Sequence, residues 1–193
     1  MEKLTGKNKI NCAVFISGKG SNLKSLINFS KKKNSPITIK LVISSNQCAP
    51  GLKYAKKNKI KKYIINFKKK NKVNYQLLKY LKSNKIKLIC LAGFMKILPK
   101  LFILKFKYPI INIHPSLLPK FKGLNTHYRV IEKKEKNTGC TVHFVNSKLD
   151  SGKIIVQKKI KVFKKDTPSS LKKRVLKEEH NLYPKAINKI INL

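Results

Sequence analysis

The sequence predicts an α/β fold: a doubly wound, mostly parallel sheet with antiparallel C-terminal strands and a final helix. Three observations predict this fold class. Short apolar runs recur at near-regular intervals, helical patterns separate them, and after residue 137 the alternation gives way to strands joined by a turn-rich connector. Strands that alternate with helices favour right-handed crossovers, and hence a parallel sheet.

The parallel part of the sheet is predicted from five apolar runs, each short enough to form one buried strand. They are INCAVFIS (10–17), ITIKLVIS (37–44), KYIINF (62–67), IKLICLAG (86–93) and IINIH (110–114). Apolar stripes at helical spacing mark two of the intervening helices. One stripe comprises Leu23, Leu26 and Ile27, and the other comprises Val73, Leu77, Leu78 and Leu81.

The C-terminal part has a different pattern. The runs TGCTVHFVN (138–146) and KIIVQKKIKVF (153–163) are typical of strands, and the connector SKLDSG between them is rich in turn-forming residues. The last helix is predicted to begin with Thr167 as its N-cap and Pro168 in its first position. Pro184 lacks an amide hydrogen, so we expect it to kink or restart that helix.

The chain is strongly basic, with 46 Lys and Arg against 7 Asp and Glu and a formal net charge of +39. Such a charge is typical of nucleic-acid-binding proteins. However, only Arg129 and Arg174 are arginines, and the lysines are spread along the whole chain. Specific readers of nucleic acids use arginine for bidentate contacts. We therefore attribute the charge mainly to drift in base composition and expect no specific nucleic-acid partner.

The four cysteines lie too far apart for a CxxC motif or a zinc ribbon. They are Cys12, Cys48, Cys90 and Cys140. Cys12 and Cys90 fall in strand-like runs, where we expect buried reduced thiols. Polar residues 7–9 interrupt the N-terminal segment and argue against a signal peptide, and no apolar run approaches about 18 residues. These features predict a cytoplasmic protein without a membrane partner.

A candidate anion cradle, SGKGSN, runs from Ser17 to Asn22 between a predicted strand and a predicted helix. Glycine lets the backbone approach an anion closely, and free amide groups at a helix start point toward it. The segment lacks the GK[ST] of a Walker loop and the third glycine of a dinucleotide fingerprint, so it suits a monophosphate best. By itself it is equally compatible with an ordinary turn.

Asn112 and His114 lie two residues apart at the end of a predicted strand, so both side chains point to one face. Pro115 and Pro119 follow and predict a rigid loop. The amide and the imidazole could converge on one atom; a histidine held by the backbone is the alternative. Asp150, if it lies beside His114, would raise the pKa of the imidazole and favour the imidazolium.

Five segments, taken in order, resemble the phosphoribosylglycinamide formyltransferases of purine biosynthesis. They are AVFISGKGSNLKSLI, LAGFMKIL, NIHPSLLPKFKGLNTH, TGCTVHFVNSKLDSG and EEHNLYP. The resemblance implies a Rossmann-like fold and direct transfer of the formyl group of 10-formyltetrahydrofolate to the amine of 5-phosphoribosylglycinamide, without a metal. It also implies one domain over residues 1–193, with a phosphate-substrate half at about 1–100 and a folate and catalytic half at about 86–193.

The resemblance also implies roles for individual residues. The catalytic residues are Asn112, His114 and Asp150. The residues that contact phosphoribosylglycinamide are Gly20, Ser21, Asn22, Asn112 and Glu179. The residues that contact folate are Lys72, Met95, Lys96, Ile97, Leu98, Asn112, Asn146 and Leu149. In this reaction the amine attacks the formyl carbon, and Asn112 and protonated His114 would stabilise the resulting oxyanion.

Several residues depart from the family pattern or have a second interpretation. Lys19 stands where a small or neutral residue is common, Asn125 stands where a histidine is usual, and the alignment at Lys72 is loose. We expect the three histidines outside the catalytic set, His127, His143 and His180, to be mainly structural. Contact with the site is the second interpretation for two of them: His127, which matches a family histidine near the active-site mouth, and His143, which lies in the strand-like run TVHFV.

Two alternative functions remain open. A methionyl-tRNA formyltransferase or a formyltetrahydrofolate hydrolase would share the three catalytic residues, but the first needs a tRNA-contacting second domain and the second usually carries a regulatory domain. A basic RNA-binding protein would need aromatic stacking platforms or a basic cleft. The preferred prediction is an enzyme with small-molecule substrates that is a monomer or a weak homodimer.

Overall fold

The computed structural model describes residues 9–67 and 70–191, which form one seven-stranded sheet in the order β3-β2-β1-β4-β5-β6-β7. The strands are β1 (Ile10–Ile16), β2 (Ile37–Ser44), β3 (Lys61–Ile64), β4 (Leu88–Leu91), β5 (Ile110–His114), β6 (Asn137–Phe144) and β7 (Ile154–Lys161). The helices are α1 (Ser21–Ser30), α2 (Leu52–Lys57), α3 (Lys70–Ser83), α4 (Lys100–Lys105), α5 (Thr126–Glu132) and α6 (Pro168–Ile191).

The pairing of the strands confirms the predicted fold class. β1 to β5 pair in parallel, and β6 and β7 extend the sheet in antiparallel fashion. The prediction of a buried strand at 62–67 is wrong, because β3 is the edge strand and three of its four residues are exposed. Two of those residues are lysines, which suit an exposed edge, and the buried Ile65 follows the strand.

Apolar side chains cover both faces of the sheet, as a doubly wound fold requires. Successive strand residues point to opposite faces, so Val14 joins one core and Phe15 joins the other. The first core packs the sheet against α1 and α6, and the second packs it against α3 and α4. Three of the four residues of the predicted α3 stripe are fully buried: Val73, Leu77 and Leu81.

The central strands bring three loops to one edge of the sheet. β1, β4 and β5 are parallel neighbours, and open α/β sheets bind ligands beyond the carboxyl ends of such strands. Ser17, at the end of β1, joins two of these loops. Its amide donates to the carbonyl of Gly93 (3.2 Å), and its hydroxyl accepts from the amide of Met95 (2.8 Å).

Helix α6 begins where the sequence predicts, since the amide of Ser170 donates to the Thr167 hydroxyl (3.1 Å). The helix does not restart at Pro184 but continues through it as one helix of 24 residues. Proline cannot donate to the carbonyl of His180, and the hydroxyl of Ser25 on α1 donates to it instead (3.2 Å). The neighbouring helix therefore replaces the lost hydrogen bond.

The other expectations from composition concern thiols and membrane spans. Cys12, Cys90 and Cys140 are buried free thiols, and Cys48 is an exposed one. In the part of the chain that the structure describes, no helix combines the length and the apolar character that a bilayer span needs. Residues 7–8, on which the signal-peptide prediction partly rests, lie outside the described residues.

Tyr183 anchors α6 to the centre of the sheet. Its ring is 1% exposed, and its hydroxyl oxygen lies 2.9 Å from the carbonyl oxygen of Leu91 on β4 and 3.1 Å from that of Ile111 on β5. Ile111 directly precedes Asn112. The final helix is therefore fixed to the strand segment that carries the candidate catalytic residues.

Tyr183→Phe should lower the free energy of unfolding by about 1–3 kcal/mol, because the two buried carbonyls lose the one hydroxyl hydrogen that they share. Urea unfolding followed by circular dichroism measures the change. Tyr75→Phe is the matched control: Tyr75 is 68% exposed, and loss of its hydroxyl should change the free energy of unfolding by less than about 0.5 kcal/mol. Equal stability of wild type and Tyr183→Phe would contradict the anchoring role.

Candidate active site

The structure brings the three candidate catalytic side chains together. Asn112 Nδ2 lies 3.4 Å from Asp150 Oδ1, and His114 Nδ1 lies 3.3 Å from Asp150 Oδ2. Asn112 and His114 come from one face of β5, whereas Asp150 comes from the loop between β6 and β7. One carboxylate thus joins an amide and an imidazole from a distant part of the chain.

The backbone holds Asp150 in place. The amide of Gly123 donates to Asp150 Oδ2 (2.9 Å), and Asp150 itself has a left-handed conformation with φ of 44°. Two residues later, a Cβ on Gly152 would lie 1.7 Å from the carbonyl oxygen of Phe144, so no larger residue fits this turn. The close approach of the two backbone segments directs the carboxylate toward β5.

His143 completes the cluster: of the two interpretations of this histidine, the structure shows contact with the candidate site. It faces Asn112 across the β5–β6 pair, and its Nε2 lies 3.2 Å from Asn112 Nδ2 and 3.5 Å from Asp150 Oδ1. Its Nδ1 lies 2.8 Å from the Phe144 carbonyl oxygen. The antiparallel register creates these contacts, and the only signal in the sequence is a histidine within a strand-like run.

Both ring nitrogens of His114 face oxygen acceptors. Nε2 lies 2.8 Å from the Phe121 carbonyl oxygen, which can only accept, so Nε2 carries a hydrogen. Nδ1 faces the carboxylate of Asp150. The neutral ring can donate to one of these acceptors, and the imidazolium can donate to both.

Burial decides the charge of His114 at rest. It lowers the pKa of the imidazole below its ordinary value, although the Phe121 carbonyl and Asp150 both raise it. The expectation that Asp150 would raise the pKa overall is therefore wrong, because it omitted the cost of removing the imidazolium from water. Burial also raises the pKa of Asp150, but His143, the Gly123 amide and His114 together lower it below its ordinary value.

The predicted anion cradle forms the start of α1. Gly20 precedes the helix with φ of 72°, and a Cβ on it would lie 2.6 Å from the Cα of Gly51. The Gly51 amide donates to the Gly18 carbonyl (3.0 Å), which fixes the two loops against each other. Among the described residues no side chain caps the first turn, which begins at Ser21, so its amides are available to an anion.

Asn22 and Glu179 form a buried pair beside this cradle. Asn22 Nδ2 donates to Glu179 Oε2 (2.6 Å), while Asn22 Oδ1 is buried and has no hydrogen-bond partner within the described residues. Burial raises the pKa of Glu179 to about 7, even though Asn22 and Lys172 lower it. Glu179 lies one helical turn before Tyr183, whose hydroxyl contacts β5, so the pair lies close to the catalytic strand.

Most of the predicted folate-contact residues lie on exposed loop surfaces. Met95 and Ile97 are 67% and 75% exposed, and Leu149 is 56% exposed. Lys96 and Asn146 are exposed beside them in sequence. Leu98 differs, because its side chain is buried in the second core and only its backbone could contact a ligand.

Lys72 stands apart from the cluster. It is exposed on α3, where it borders a groove of about 420 Å³ lined by Lys72, Tyr75, Gln76, Lys79 and Tyr80. No hydrogen bond or ion pair between described residues connects it with Asn112, His114 or Asp150. The structure therefore adds nothing to the loose sequence match at this position.

The remaining predicted residues flank the site. Burial, with the charges of Lys172 and His114, lowers the pKa of His127 to about 4, which places this histidine near both. Lys19 is exposed in the cradle, and Asn125 has φ of 56° directly before α5. Within residues 9–67 and 70–191, no three His, Cys, Asp or Glu side chains are arranged to hold a metal.

Comparisons with known proteins agree with this geometry. The formyl transferase family model matches residues 10–187. The phosphoribosylglycinamide formyltransferase of Haemophilus influenzae is 40% identical over 178 residues, covering 91% of this chain and 84% of that protein. The trifunctional purine biosynthetic protein adenosine-3 of Gallus gallus is 42% identical over 183 residues. The aligned region covers 93% of this chain but only 18% of that much longer protein.

A solved structure supports the same assignment. The crystal structure of phosphoribosylglycinamide formyltransferase from Brucella melitensis superposes with a TM-score of 0.90 at 39% identity, covering 95% of this chain and 96% of that one. The match extends over both the parallel and the antiparallel parts of the sheet. This protein therefore belongs to the formyl transferase family.

Proposed function

We propose that this protein is a phosphoribosylglycinamide formyltransferase of purine biosynthesis, which transfers the formyl group of 10-formyltetrahydrofolate to the amine of 5-phosphoribosylglycinamide. The observation that carries the proposal is that the side chains of Asn112 and His114 both contact the carboxylate of Asp150, in a chain of this family. The relative from Haemophilus influenzae, most of whose length this chain covers, is a phosphoribosylglycinamide formyltransferase, which supports the choice of acceptor.

The acceptor binds between the start of α1 and α6. The amides of Gly20, Ser21 and Asn22 receive its phosphate, since an uncapped helix start attracts an anion. Asn22 Oδ1, which has no partner in the described part of the chain, and the carboxyl group of Glu179 then accept hydrogens from its amine. A buried carboxyl with a pKa of about 7 can bind this amine in either protonation state.

The donor lies against the exposed loops that follow β4 and β6, the two neighbours of β5 in the sheet. Met95, Ile97 and Leu149 offer apolar surface to its flat rings, and the Leu98 backbone offers polar groups. Lys96, Asn146 and Lys72 contact its polar parts. The proposal keeps one domain with a phosphate-substrate half at about 1–100 and a folate and catalytic half at about 86–193, each of which also lends one residue, Lys72 or Glu179, to the other site.

The reaction needs a group that stabilises negative charge on the formyl oxygen. As the amine attacks, Asn112 Nδ2 donates to this oxygen, and one such donor is worth about 10²–10³ in turnover. His114 is mainly neutral at rest, because burial lowers its pKa. Negative charge developing beside the ring raises that pKa again, so the imidazolium forms where the oxyanion needs it, with Asp150 as its counter-charge.

A proton must also move from the attacking amine to the departing folate nitrogen. The chain provides His114 and Asp150 for this transfer, and a positioned acid or base typically contributes about 10²–10⁴ in rate. No bond to the protein forms in this scheme. The formyl carbon passes through one tetrahedral intermediate, and the amine nitrogen replaces the folate nitrogen on it.

The substrates are small molecules and the formyl donor is a folate, with no metal in the scheme. Contacts of the lysine-rich surface with nucleic acids are electrostatic and without base preference. The protein works in the cytoplasm as a monomer or a weak homodimer.

The function is tested by incubating the purified protein with phosphoribosylglycinamide and 10-formyltetrahydrofolate and measuring the formylated product. Wild type should form the product, and kcat of His114→Ala should be about 10²–10³-fold lower, because the oxyanion loses the positive charge beside it. Circular dichroism should show the variant folded. Absence of product with wild type would refute the proposed function, and wild-type turnover in His114→Ala would refute the role of this residue.

Glu179→Gln should flatten the pH dependence of stability. The pKa of Glu179 is raised from an ordinary 4.5 to about 7, so the folded state holds this proton more tightly than the unfolded state. Its contribution is fully present below pH 4.5 and lost as the pH rises to about 7, an effect of about 3 kcal/mol. Glutamine cannot ionise, so the variant avoids this loss.

Urea unfolding of both proteins at pH 5 and pH 8 measures this effect. The free energy of unfolding should fall less for Glu179→Gln than for wild type between the two pH values. The same decrease in both proteins would show that Glu179 titrates with an ordinary pKa and is not held as a buried acid.

A further inference from the structure

Arg129 forms hydrogen bonds with the loop between β5 and α5. Its Nη1 donates to the carbonyl of Lys122 (2.7 Å) and lies 3.3 Å from that of Leu124, and its guanidinium lies 5.4 Å from the centre of the Phe121 ring. A planar guanidinium can donate in its plane while its face rests on a ring, whereas the ammonium of lysine cannot. Arg129 is one of only two arginines among the 46 basic residues of the chain.

The loop that Arg129 contacts supplies both backbone groups that bind the side chains of His114 and Asp150. The Phe121 carbonyl oxygen lies 2.8 Å from His114 Nε2, and the Gly123 amide donates to Asp150 Oδ2 (2.9 Å). Phe121 has φ of 57° and Gly123 has φ of 80°. A bulky residue rarely adopts this left-handed conformation, so a contact from outside the turn must help to hold it.

We propose that Arg129 is a positioning residue, which holds the Phe121 carbonyl and the Gly123 amide against His114 and Asp150. Arg129 need touch neither reactant. The kinetic part of this inference rests on the proposed function. The structural part does not, because the protonation of His114 can be measured without any substrate.

The titratable and charged groups that face His114 determine what a test will show. They are Asp150 on the β6–β7 loop, His143 on β6, and His127 and Arg129 on α5. Arg129→Lys keeps the positive charge but removes the planar guanidinium, so the variant tests the geometry of the contact separately from its charge. As the Phe121 carbonyl withdraws, the pKa of His114 should fall further, because that carbonyl raises it.

Arg174 provides the matched control. It also stacks on an aromatic ring, 4.1 Å from the centre of Phe163, and it donates to Asp166 and to the Lys161 carbonyl. It does so where β7 meets α6, away from the loop that contacts His114. Arg174→Lys therefore makes the same chemical change to the same kind of contact, without touching the catalytic pair.

The experiment measures the pKa of His114 by NMR of ¹⁵N-histidine-labelled protein, and kcat and KM for formyl transfer, in wild type and both variants. Arg129→Lys should lower the His114 pKa and reduce kcat by about 10- to 100-fold, with a smaller change in KM, as expected for displaced catalytic groups. Arg174→Lys should leave both the His114 pKa and kcat unchanged. Thermal unfolding reports the stability of each variant.

Each other outcome decides against the inference. An unchanged His114 pKa in Arg129→Lys, or an unchanged kcat, would overturn the positioning role, and so would equal effects of the two variants. If Arg129→Lys does not fold, Phe121→Leu removes the ring beneath the guanidinium and is judged by the same two readouts. An inactive wild type would refute the proposed function, and the NMR measurement would still decide whether Arg129 holds the loop.

Discussion

The candidate site depends on one buried carboxylate. Asp150 reaches β5 from a loop, and its two oxygens contact Asn112, His114, His143 and the Gly123 amide. A carboxylate is stable in such a place only when donors replace the water that burial removes. Two of the groups that stabilise Asp150, Asn112 and His114, are also groups that the proposed chemistry uses, so the stability of the loop and the proposed geometry of catalysis are linked.

The rest of the fold supports this arrangement from both sides. Parallel pairing brings the ends of β1, β4 and β5 to one edge, and the antiparallel β6 brings His143 opposite Asn112. Helix α6 carries Glu179 and is fixed to β4 and β5 through Tyr183. The proposed amine site, through α6, and the proposed oxyanion site are thus both attached to β5, which would keep an acceptor and a donor in a fixed relation.

The sequence predicts the parts of this structure that depend on local patterns. The strands at 37–44 and 110–114 coincide with β2 and β5, because their apolar runs are bounded by turn residues. It could not predict the contacts of His143, since these depend on the register between two strands. It also misjudged the pKa of His114, because a partner can be inferred from a motif, whereas the degree of burial follows from the packing of the whole chain.

The most direct test of the account is a double-mutant cycle on kcat/KM with His114→Ala, Asp150→Asn and the double variant. If the carboxylate acts through the imidazole, the double variant should be no slower than the more damaged single variant by more than about twofold, because the two groups work as one unit. Losses that multiply in the double variant would mean that the two side chains act independently, and the shared-carboxylate account would be wrong.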